Sequence, residues 1–73
     1  MIKITKDTDI EAGNTIYNPT ENVRYHVDAY TYDPETKTEI ARLKPKLPLG
    51  IFKKAFTLTI ENMVKLGYKV DND

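Results

Sequence analysis

From Val23 to Lys44 the chain alternates between apolar and polar positions with a period of two, broken by one polar turn. Val23, Tyr25, Val27 and Ala29 fall on one side of the first run, and Arg24, His26, Asp28, Tyr30 and Tyr32 on the other. A side-chain period of two is that of a strand with two unlike faces. Asp33-Pro34-Glu35-Thr36-Lys37 supplies the turn. Pro34 presets the backbone of the second position, and the Asp33 carboxylate can accept from the main chain ahead of it. The pattern predicts a β-hairpin. Pairing Tyr32 with Thr38 sets Val27 against Leu43 and Ala29 against Ala41 on the core side, with Asp28 against Arg42 on the other. That register satisfies both faces at once, which is what normally determines register.

Weaker patterns flank the hairpin. Ile2 and Ile4 alternate with Lys3 and Thr5, as in a short half-buried strand. Residues 7–14 are polar and contain Gly13, which predicts a loop, and Thr15-Ile16-Tyr17 predicts a further short strand. Asn18-Pro19-Thr20-Glu21-Asn22 reads as a turn. Pro45 and Pro48 are expected to end the second hairpin strand. Beyond them Phe52, Ala55, Phe56, Ile60, Met63 and Leu66 recur at helical spacing, with Lys54, Thr57, Glu61 and Lys65 opposite. Pro48 suits a first helical turn, Glu61 and Lys65 form an i,i+4 pair, and Gly67 stands where a left-handed cap belongs. Phe56-Thr57-Leu58-Thr59-Ile60 also alternates with period two and has strand composition, so this segment fits both elements. The apolar face continuing on either side, with Gly67 beyond, favours the helix. Tyr68-Lys69-Val70 adds a last short strand. The expected fold is one α+β domain spanning residues 1–73. An antiparallel sheet of three to five strands packs one face on a C-terminal α-helix, with Phe56 directed at Val27 and Leu43.

Size limits what such a fold can hold. A chain of 73 residues buries only ~60% of its unfolded surface and often needs an external source of stability. There is no Cys, hence no disulfide and no thiolate-bound zinc, and a single His cannot supply several nitrogen ligands. No metal or cofactor is expected, and a second copy of the chain, a homodimer, is the remaining staple. Eleven basic and eleven acidic residues cancel. This removes the global charge signature of a nucleic-acid binder but leaves a local one, with four Lys and no acid between Lys44 and Lys54. The chain has no basic-then-apolar leader and no apolar run of the ~18 residues that span a bilayer, so a cytoplasmic protein without membrane contact is expected. The Lys, Ile, Asn and Tyr content suggests a small accessory protein of phage or bacterial origin.

Candidate chemistry is sparse. Asp7-Thr8-Asp9-Ile10-Glu11 starts like a calcium loop, but Ala12 holds the sixth position, where Gly is needed, and Asn18 the twelfth, where Glu is needed. His26 lies two residues from Asp28 on one face, yet the chain contains no Ser or Cys nucleophile to complete a triad. The three Gly are isolated and form no phosphate-cradling loop. An enzyme is not expected.

Two binding readings remain. In the first, Arg24, His26, Tyr30, Tyr32, Ile40 and Arg42 form one amphipathic patch for an unidentified protein partner, rich in the Tyr and Arg typical of interface hot spots. The protein would then act as an inhibitor or adaptor, with Ile51 and Leu58 as a second apolar line on the helix flank, suited to a dimer contact. In the alternative, Tyr30 and Tyr32 stack the bases of a single-stranded nucleic acid while Arg24, Arg42, Lys44 and Lys46 meet its backbone. Asp28, Asp33 and Glu35 oppose that reading by repelling phosphate. Four strands followed by a helix, over residues 23–66, also resembles the positive-cofactor type of single-stranded-DNA-binding fold. Leu49-Gly50-Ile51 echoes that family's Lys-Gly-Ile junction before the helix, although the hairpin here is longer.

Overall fold

The computed structural model describes residues 1–46 and 54–71. Its strands are β1 (Ile2–Lys3), β2 (Thr15–Asn18), β3 (Val23–Asp33), β4 (Thr38–Lys46), β5 (Phe56–Thr59) and β6 (Lys69–Asp71), and helix α1 (Ile60–Leu66) lies between the last two. They form one sheet in the order β1-β6-β2-β3-β4-β5, with every pairing antiparallel. The described residues thus make a six-stranded sheet with one short helix, mostly β, where three to five strands and a long C-terminal helix were expected.

The helix begins later than its spacing predicts. Phe56–Thr59 is a strand that pairs with β4, setting Phe56 against Leu43 and Leu58 against Ala41. Thr57 and Thr59 are β-branched and favour a pleated edge, and the period-two reading of this segment prevails because β4 offers it a ladder. Thr59 then caps α1: its backbone is extended and its hydroxyl accepts from the Asn62 N–H at 3.1 Å. Gly67 closes the helix with φ 76, as expected of a left-handed cap. Ile60 and Met63 enter the core, whereas Leu66, expected on the core face, is 54% exposed because a seven-residue helix presents only a narrow buried stripe. Pro48, Leu49, Gly50, Ile51 and Phe52, assigned to the helix or its approach, lie outside the described residues. Pro45 sits within β4 rather than ending it, opposite Tyr25.

The hairpin register holds in one half and shifts in the other. Val27 faces Leu43 as predicted, but Ala29 faces Arg42 and Asp33 faces Thr38, with a β-bulge between Val27 and Ala29. Asp28 is the extra residue. Lys37, at φ 55, closes the turn in the left-handed region, and Asp33 Oδ1 accepts from Glu35 N at 3.0 Å.

The core lies between one face of the sheet and a cover made by α1 and the N-terminal segment. Tyr25, Val27, Ile16, Ala41, Leu43 and Met63 are fully buried, joined by Ile4 and Ile10 from the segment between β1 and β2. Tyr25 anchors it, edge-on to Phe56 at 5.3 Å and stacked on Tyr68 at 6.4 Å. The loop docks against β3 by two backbone bonds, Gly13 N–H to Val27 O and Val27 N–H to Asn14 O, both 2.9 Å. Asn18, the buried polar residue, donates to Glu21 and to the Tyr68 hydroxyl and accepts from Thr20 N–H.

Candidate nucleic-acid interface

Partners across an antiparallel ladder share a face, so the register assigns every strand residue to one side of the sheet. On the apolar side run Ile2, Val70, Ile16, Tyr25 and Pro45, then Val27, Leu43 and Phe56, then Tyr30, Ala41 and Leu58. On the opposite side Lys3, Lys69, Tyr17, Arg24 and Lys46 lie in register across five strands. Beside that row runs a second, Asp71, Thr15, His26 and Lys44, followed by Arg42 and Thr57, then Thr31, Ile40 and Thr59. Helix α1 packs on the apolar side, through Ile60 and Met63.

The open side is therefore basic in an electroneutral chain. Lys3, Lys69, Arg24, Lys46, Lys44 and Arg42 stand there against three strand carboxylates, Asp28, Asp33 and Asp71. Further acids lie on the helix side: Glu39 faces Tyr32, and Asp9 lies close enough to Tyr30 to act on its hydroxyl. Arg24 is held by Asp71 at 2.7 Å while its guanidinium lies over the Tyr17 ring, 5.1 Å from the centroid. Tyr17 is fixed in turn by its hydroxyl, which donates to Asn22 at 2.6 Å. Lys46 Nζ donates to Thr15 at 2.8 Å. The Arg42–Asp28 contact is long, 3.8 Å, with both side chains about half exposed, and leaves much of the Arg42 charge to solvent. Lys3, Lys44 and Lys69 pair with no carboxylate among the described residues.

Of the residues singled out from the sequence, Arg24, His26, Ile40, Arg42, Lys44 and Lys46 come together on this face. Tyr30 and Tyr32 do not. The extra residue at Asp28 turns the rest of β3 over, so that both rings emerge on the helix side, opposite Ala41 and Glu39. Neither patch drawn from the sequence is a single surface. Tyr30 donates to Glu39 Oε1 at 2.8 Å. Desolvation, then the bond to Glu39 and its charge, raise the phenol above its ordinary value. Leu58, placed on a helix flank by its spacing, is partly buried against the core from β5. His26 faces Lys44 as the hairpin register predicts.

Sequence reasoning missed Tyr17, Lys3 and Lys69. The alternation Ile2-Lys3-Ile4 and Tyr68-Lys69-Val70 marks each lysine as facing away from the core, but nothing local says that β1, β6 and β2 are neighbours. Among the described residues, no group of three or more His, Asp or Glu side chains is arranged to hold a metal ion. No helix there is long and apolar enough to cross a membrane. Comparison with protein families, with curated proteins and with solved structures finds no match to this chain.

Proposed function

We propose that this protein binds single-stranded nucleic acid on the open face of its sheet, as a binding protein and not as an enzyme. The observation that carries the reading is the cross-sheet row Lys3, Lys69, Tyr17, Arg24 and Lys46. With strands spaced ~4.8 Å apart, five positions extend over roughly 19 Å. A phosphate backbone laid across the strands meets cations along that length, and Tyr17 with the Arg24 guanidinium over its ring offers a base a stacking pair near its middle. Single-strand sites combine these two elements, a basic track and a stacking surface. A footprint of about four nucleotides follows, at the small end of such sites.

Fluorescence anisotropy with labelled oligothymidylate tests the reading. Affinity should fall with salt, with a log–log slope of about −2 to −3 if three or four phosphates are neutralised. Lys44→Glu with Lys69→Glu should weaken binding more than tenfold without unfolding the protein, since both ammonium groups lie on the open face. Absence of binding at low salt, or binding indifferent to both changes, refutes it.

A second reading, a protein-binding inhibitor or adaptor, is supported by the rings that the bulge brings out on the helix side, Tyr30 at 37% and Tyr32 at 49% exposure. Capture of a protein partner that survives high salt and is lost in a Tyr30→Ser, Tyr32→Ser double variant would favour it. The homodimer belongs to either reading, and light scattering at twice 8.4 kDa is its expected result.

A further inference from the structure

The helix side carries a groove between the hairpin tip and α1, with a volume of about 430 Å³. That lies within the range of small-molecule sites. Ile60, Val64 and the Tyr32 ring give it an apolar lining, and Lys6 and Lys37 also line it. Glu39 and Glu61 also line it: Glu61 pairs with Lys65 at 3.4 Å, while Glu39 accepts from Tyr30 and keeps its charge, so three lysines stand against two carboxylates in the lining. Among the described residues the Tyr32 hydroxyl and the Lys6 and Lys37 ammonium groups have no such partner. Three donors without a partner thus belong to the lining of one cleft.

A second observation concerns Lys37. It adopts φ 55, a conformation in which glycine or asparagine is the usual occupant and a lysine is strained. Glycine would make the same turn without that cost. A lysine kept in a strained backbone conformation where it lines a cleft points to a use for its side chain.

We propose that this groove binds a small amphipathic carboxylate, its apolar body against Ile60, Val64 and Tyr32 and its carboxylate held by Lys37, Lys6 and the Tyr32 hydroxyl. The site is independent of the basic sheet face, which lies on the other side. Octanoate is the probe, followed in two-dimensional amide NMR of the full chain, with octylamine as the control of opposite charge. Saturable shifts should centre on Tyr32, Lys37, Thr38 and Val64, and octylamine should not reproduce them. Lys37→Gly should weaken octanoate by about tenfold, as expected for losing a charged contact, while raising the melting temperature because the turn strain is relieved. That combination separates a lost ligand contact from a damaged fold. Shifts spread over Lys44 and Lys69, equal binding of octylamine, or a Lys37→Gly variant that binds octanoate at full strength would each overturn the proposal.

Discussion

Val23–Val27 and Ala29–Asp33 are halves of one strand with similar alternation, and they behave in opposite ways. In the first half Tyr25 and Val27 are fully buried, and Arg24 and His26 join the basic face. In the second half the aromatic residues again turn toward the helix side, yet Tyr30 and Tyr32 stay 37% and 49% exposed. β2 and its preceding residues flank the first half, whereas the second extends past them toward the turn, with only β4 at its side among the described strands. The bulge at Asp28 separates them. It lets one strand use its even positions for charge in one half and for rings in the other, by the same period-two rule displaced by one residue. A ring's role in this sheet thus depends on which strands stand beside it and not on its place in an alternating run.

Truncating one ring in each half should give unequal losses of stability. Tyr25→Ala should cost about 3–5 kcal/mol in urea denaturation, since it removes a buried aromatic with two ring neighbours. Tyr32→Ala should cost about 1 kcal/mol or less, the scale of a single cross-strand pair. Equal costs would mean that the two halves are not distinct. Thr59→Ala, which removes the helix cap facing the distal half, is expected to cost about 1 kcal/mol.

Deleting Asp28 tests the bulge itself. Without it Ala29 still faces Arg42 and Tyr30 still faces Ala41, so every side chain keeps its face and the ladder becomes regular. A stability change within about 1 kcal/mol is expected, because only a half-exposed 3.8 Å ion pair is lost. Had the hairpin run without a bulge, the same deletion would move Tyr30 and Tyr32 to the other face. A cooperative transition with a large loss of stability after the deletion would therefore favour the unbulged register.

The smallest expected effect is on pH dependence. Desolvation, with the Glu39 contact after it, raises the Tyr30 phenol above 10.0, its unfolded value. Its contribution to stability is then complete below that pH and is lost as pH rises through the folded value. Tyr30→Phe should show a shallower loss of stability in alkali than the parent, measured as the difference between the two pH profiles. Identical profiles would place Tyr30 outside the influence of Glu39.

Much of the local structure was legible because its causes are local. The turn at Asp33-Pro34, the strand at Thr15-Ile16-Tyr17, the cap at Gly67 and the last strand after it follow from turn chemistry, alternation and a left-handed glycine. Phe56–Thr59 was not decided locally, since its apolar positions satisfy both periods, and the free edge of β4 settled it as a strand. The candidate face shows the same division. That Lys3, Tyr17, Arg24, Lys44, Lys46 and Lys69 point away from a core follows from their apolar neighbours in the chain. That Lys3, Lys69, Tyr17, Arg24 and Lys46 form one row across the sheet with Lys44 in the next, and that Tyr30 and Tyr32 leave that face, depends on strand order and on one unpaired residue. Alternation along a chain records which side a residue takes relative to its neighbours. It carries no record of an inserted residue's register shift or of which distant strands come to lie alongside, because these are set by long-range pairing energies that no short window of sequence contains.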